Sequence, residues 1–269
     1  MICILFAGVY LLAAYIPGSK QLNMPFKGSK MAQELCIKAK EVHDTCFAQI
    51  KAEFEIDPKL WADFIDSYQE YVQNDDLLGS CQQDNDVSQF PIVTATKRIL
   101  TEYGINPAKV ALTLMDASDT PAQAIQEISS DDSQIMHRIE LNIPWLTTYP
   151  MEIQEALIRH EIMHLIHYDS LEGSYVITML YQSGYTKSEC DSASSMIAYR
   201  HQRELRADAL ASADRPEVAQ ALHSFFQKFI SVEDQENPAL WLSHPSDKKR
   251  CNQLAQLLTQ MDKPAVAQA

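Results

Sequence analysis

Five consecutive residues constrain this chain more than any other feature: His160-Glu161-Ile162-Met163-His164. Two histidines four apart project from one face of an α-helix, where both imidazoles can grip a single ion. The chain must therefore be helical here and must bring a further donor to that face. Its surroundings agree. Pro150 suits a first helical position, and Glu152 and Glu155 lie near the positive end of the helix. Ile153, Ala156 and Leu157 form an apolar stripe that His160 and His164 continue. Histidines on an inward face need partners, because an unpaired polar group there costs about 1–3 kcal/mol. The bland alternative is two core histidines satisfied by hydrogen bonds. On the metal reading, Glu161 is placed to take a proton from a water that the ion activates.

Catalytic zinc takes three protein ligands and keeps one position open. A continuation HExxHxxGxxH is absent, since position 167 is His, position 170 is Ser and no histidine lies six residues past His164. His167 shares the helical face but lies two turns from His160, about 10 Å by helix rise, too far to share one ion. It reads as packing or outer support. The better third ligand is Glu204, forty residues after His164 in Glu204-Leu205-Arg206-Ala207-Asp208. Asp208 lies one turn beyond Glu204 on the same face, where it can accept the free ring N–H of a ligand histidine and fix its tautomer. The competing reading is a solvated helix face on which Arg203, Glu204, Arg206 and Asp208 pair among themselves.

HExxH followed by ExxxD on a later helix resembles the gluzincin family of HtpX-type heat-shock proteases and CAAX prenyl endopeptidases. Ser243-His244-Pro245-Ser246 with Arg250 resembles that family's downstream Ser-His-Pro segment, and Ala156-Leu157-Ile158-Arg159 also fits. The resemblance covers roughly residues 90–260. It implies a zincin-like core and a zinc endopeptidase acting on protein or peptide substrates, in envelope protein quality control. It also implies that His244 faces the zinc, either helping to stabilise the oxyanion or occupying the open position and holding the enzyme latent. Tyr199 is a weaker candidate helper, since a tyrosine on this helix is more often core. The integral-membrane members carry long apolar helices between the HExxH and the glutamate helix. Here Tyr175 to Tyr181 is too short to span a bilayer, which points to the soluble, periplasmic-type branch. The alternative function is a latent or non-catalytic zinc-binding, chaperone-like protein of the same fold. The intact Glu161 argues against it.

A net charge of −14 argues against nucleic acid or an anionic membrane surface as the main partner. Hydrophobic content of 46% supplies a core, and only seven glycines argue against a loop-rich or barrel fold. Ile2 to Ile16 is an apolar run shorter than the ~20 residues of a spanning helix. It has the length of a signal-peptide core, though no Lys or Arg precedes it. Export to the periplasm is the preferred expectation, with membrane association through a retained anchor next and a buried helix last. Six cysteines carry no CxxC spacing. Cys36 and Cys46 cannot bridge within one straight helix, because ten residues rise about 15 Å. If the chain is exported, Cys190 to Cys251 is a conceivable pair.

The expected class is α+β and mostly helical, with a small sheet beside the HExxH helix. Residues 1–20 form a signal peptide or short anchor, 21–88 an N-terminal helical region, 89–262 the metallopeptidase domain and 263–269 a disordered tail. Helices are expected at 29–55, 58–74, 90–104, 170–183, 187–213, 215–231 and 245–261, besides the HExxH helix. Residues 110–115 and 135–143 have strand character, and 116–133 reads as a polar loop with a short helix. The 135–143 strand is expected at the sheet edge beside the cleft, where an extended substrate can pair with its backbone.

Overall fold

The computed structural model describes residues 30–75, 77, 90–115, 120–129, 134–230, 242 and 244–262. The expectations for residues 1–20 and 263–269, and most of the 74–87 loop, lie outside the described residues.

The chain is α+β and mostly helical, with one small mixed sheet. Two N-terminal helices come first, α1 (Lys30–Glu53) and α2 (Pro58–Asn74). Asp57 starts α2, accepting hydrogen bonds from the Lys59 and Leu60 amides ahead of a proline suited to the first turn. Helix α3 (Pro91–Glu102) leads through a 3-10 turn into β1 (Val110–Met115). Then follow β2 (Ala122–Ile128), β3 (Ile135–Asn142), a single turn α4 (Ile143–Leu146) and the HExxH helix α5 (Met151–Ile166). Helices α6 (Asp169–Gln182), α7 (Lys187–Ser192), α8 (Ser194–Ser212), α9 (Pro216–Gln227) and α10 (Asp247–Met261) complete the described chain. The expected helix over 187–213 is broken at Ala193, whose extended backbone ends α7 and caps α8. No helix among the described residues is long and apolar enough to cross a membrane.

Two expectations about the sheet are corrected. Residues 122–128, within the expected loop, form a strand. The strand order is β1-β3-β2, with β1 parallel and β2 antiparallel to β3, so 135–142 is the central strand and not an edge. Ala124 pairs with Ile139, and Leu112 pairs with Ile139 from the other side. The strand β2 was hidden by its polarity. Gln126 is buried, and its amide donates to the Leu165 carbonyl at the end of α5 at 2.9 Å, so a glutamine occupies an inward position.

Helix α5 runs through the main apolar core, with Ile158, Ile162, Met163 and Leu165 fully buried. It is buried nearly all round, beyond the stripe that its spacing suggests. The N-terminal helices pack against the later part of the chain. Phe47, Ile50 and Phe64 share a cluster with Val176, Met179, Met196 and Tyr199 from α6 and α8. Tyr199 therefore lies in the core, its hydroxyl donating to Glu172 at 2.6 Å and not directed at the histidine pair, as its core reading expects. The Cys190–Cys251 pair is not formed: both are free and buried in different apolar clusters. Cys36 and Cys46 are also free, on the single helix α1.

Candidate metal centre

Helix α5 presents His160 and His164 on one face, and α8 crosses it to deliver Glu204. The three donors converge. His160 Nε2 and His164 Nε2 are 3.0 Å apart, and the Glu204 carboxylate stands 3.3 Å from the first and 3.4 Å from the second. This group can hold a metal ion. His167 does not join it. It caps the C-terminus of α5, and both its ring nitrogens are buried without a hydrogen bond among the described residues. Burial pushes its imidazole down to about 3, so it is neutral and packs.

The far side of each imidazole is braced. His160 Nδ1 lies 2.8 Å from Asp208 Oδ1, as the spacing after Glu204 anticipates. Asp208 is fully buried, which excludes the solvated-face reading of this helix. Arg250, in the first turn of α10, donates through Nε and Nη2 to both Asp208 oxygens at 2.7 Å, and its Nη1 stands 3.5 Å from Glu204. The guanidinium also lies over the Phe226 ring, 3.9 Å from its centroid. Arg250 thus gives a physical reason for the arginine that follows the Ser-His-Pro residues.

His164 Nδ1 meets Asp169 Oδ2 at 2.7 Å. Sequence reasoning missed Asp169. It lies five residues past His164, beyond the end of α5, where helical spacing assigns no position. The turn between α5 and α6 passes through Tyr168 at φ +54°, a left-handed conformation that costs a non-glycine residue about 1–2 kcal/mol. That turn swings the first residue of α6 back onto the metal face. The only signal for it was an acidic residue just beyond an HExxH helix. Asp169 is itself held by Arg206 through an ion pair, and Arg203 Nε stands 3.7 Å away.

Burial lowers the affinity of the His160 imidazole for a proton, but the Asp208 carboxylate outweighs it and carries the pKa up to about 10. Burial acts to raise Glu204, yet His164, His160 and Arg250 hold it well below the usual carboxylate range.

Glu161 points to the sheet. Its Oε2 accepts a hydrogen bond from the Ala124 amide at 2.8 Å. Burial raises its pKa above the ordinary glutamate value. The contact also identifies the edge beside the site as β2. In an antiparallel pair, a residue whose N–H points away from its partner strand points its C=O the same way, so the Ala124 carbonyl lies on the free edge as well. His244, half exposed ahead of α10, places Nε2 3.8 Å from Glu204 Oε1, and burial lowers its pKa. Ser243 lies outside the described residues. All six residues that the motifs single out thus gather around one point.

The chain matches no protein-family model, no curated protein and no solved structure.

Proposed function

We propose that this chain is a zinc-dependent endopeptidase with a zincin-like core, of the gluzincin kind that its HExxH, ExxxD and Ser-His-Pro segments resemble. The observation that carries the reading is the bracing of both imidazoles at Nδ1 by carboxylates. That fixes the tautomers and leaves both Nε2 atoms facing each other and Glu204. Two histidines and one glutamate are a donor set suited to catalytic zinc. Bonds of about 2.0–2.1 Å in a tetrahedral arrangement place donors roughly 3.3 Å apart, close to the separations found here.

His160, His164 and Glu204 would hold the ion. When bound, zinc supplies a Lewis acid for the scissile carbonyl and lowers the pKa of water toward ~7. Glu161 takes the proton from the attacking water and hands it to the leaving amine. Its Oε2 is steadied by the Ala124 amide, which aims the carboxyl group. An extended peptide lies along the β2 edge and donates to the Ala124 carbonyl, a main-chain interaction that gives affinity with little sequence selection. His244 lies beside Glu204 and is open to solvent, which supports its meeting the oxyanion. By resemblance, the substrates are envelope proteins that have misfolded, and the protein is exported.

The test is casein cleavage by the zinc-loaded chain beside Glu161→Gln at equal zinc content. A loss of about 10²–10⁴-fold is expected, the scale of general acid–base catalysis. Equal cleavage by both proteins would refute the assignment. The position of His244 also favours a latent enzyme, with this imidazole filling the open coordination place. His244→Ala separates the two: higher activity means a plug, lower activity an oxyanion donor.

A further inference from the structure

Tyr168 acts twice at the end of the HExxH helix. Its left-handed backbone, φ +54°, turns the chain so that the next residue, Asp169, meets His164 Nδ1 at 2.7 Å. Its side chain enters a small apolar cluster with Tyr68 and Val72 of α2, Ile135 of β3 and Leu171 of α6. There the ring is buried, and its hydroxyl donates to Asp75 Oδ2 at 2.7 Å.

Asp75 follows the last residue of α2 and lies ahead of all the motif residues. Its side chain is only 4% exposed, and a carboxylate stays charged at such depth only with partners. The same Oδ2 stands 2.9 Å from His137 Nε2 on the central strand β3. The orientation of that imidazole is set from β2. The Gln126 amide donates to His137 Nδ1 at 3.2 Å and to the Leu165 carbonyl at 2.9 Å, so Nε2 carries the proton that faces Asp75. One carboxylate oxygen thus ties the end of α2 to β3 and to the turn between α5 and α6. A left-handed residue other than glycine persists only where its surroundings hold it.

We propose that Asp75 is a positioning residue for His164. By holding the Tyr168 hydroxyl, it keeps the turn in its left-handed form and Asp169 on the His164 imidazole. The N-terminal helices thereby complete the candidate metal centre from a part of the chain that supplies none of its three donors. The consequence for zinc rests on the proposed function, whereas the hold on the Asp169–His164 contact does not.

The first test uses the full chain without metal. Histidine nitrogen-15 NMR follows the exchange of the His164 Nδ1 proton with solvent. Tyr168→Phe removes the hydroxyl and keeps the ring. It is expected to speed this exchange about tenfold, the scale of one buried hydrogen bond. The buried Ile158 and Ile162 of α5 are expected to keep their amide protection. Asp75→Asn retains an oxygen acceptor and should stay near the wild-type rate, while Asp75→Ala should match Tyr168→Phe. An unchanged rate in Tyr168→Phe, or a rise shared equally with the α5 amides, would overturn the proposal.

The second test is zinc affinity by chelator competition. Tyr168→Phe is expected to weaken binding roughly three- to tenfold, less than the removal of Asp169 itself. Placed on Asp169→Asn, it is expected to add no further loss, because both changes act through one contact. Additive losses would also overturn the proposal. A wild type that holds no zinc would remove the metal reading and leave the proton exchange to decide the role of Asp75.

Discussion

On the His160 side of the candidate metal centre, Asp208 is closed off: two arginine donors occupy its oxygens and an aromatic ring covers the guanidinium. On the His164 side, Asp169 does the same work for its imidazole with looser support. Arg206 and Arg203 approach it from α8, and beyond them the polar network continues through Glu172 to His43 on α1. The same parts, histidine, carboxylate and arginine, make a sealed brace on one side and a branched one on the other. A sealed brace fixes geometry and has no redundancy. A branched brace tolerates the loss of one member and transmits changes from α1.

The largest expected effect follows from that redundancy. Arg250→Met leaves Asp208 buried without its cation and is expected to cost about 3–5 kcal/mol in urea unfolding. Arg206→Met leaves Arg203 near Asp169 and is expected to cost less, about 1–3 kcal/mol. Equal losses would break the distinction. Next come the carboxylates themselves. Asp208→Asn and Asp169→Asn should each weaken zinc binding by about 10–100-fold in chelator competition, because outer partners set the orientation and basicity of a ligand histidine. If only Asp208→Asn has an effect, Asp169 is packing and the His164 brace is not one.

The smallest effect is pH dependence, and it belongs to the branched side. Burial pushes the His43 imidazole down, but the Glu172 carboxylate overrides it and lifts the pKa from 6.5 to about 9. The folded state therefore holds this proton more tightly than the unfolded chain. The resulting stability is complete below pH 6.5 and is lost as pH rises through about 9. Unfolding free energies across that window should fall by about 1–3 kcal/mol in the wild type and much less in His43→Gln. A profile unchanged by the substitution would remove His43 from the network.

Much of the centre was legible in the chain because its parts obey helical spacing. His160 and His164 are four apart, and Glu204 and Asp208 are four apart, so each pair shares a face whatever the fold. What escaped was set by tertiary geometry. Asp169 reaches His164 only through the left-handed turn at Tyr168, which no propensity foretells. Strand β2 was concealed because Gln126 is buried through hydrogen bonds and not through apolarity. The edge role given to residues 135–143 failed because strand order is not local information: β3 lies between two strands, and β2 carries the edge that Glu161 contacts. Tyr199 shares α8 with Glu204, yet its hydroxyl is directed to Glu172 on α6, in keeping with its reading as a core tyrosine.

The centre itself is tested most directly by zinc K-edge X-ray absorption on the loaded protein. The account predicts one zinc per chain with nitrogen and oxygen neighbours at about 2.0–2.1 Å, two of them imidazoles, and no sulfur. Sulfur scattering near ~2.3 Å, or a chain that holds no zinc, would contradict it.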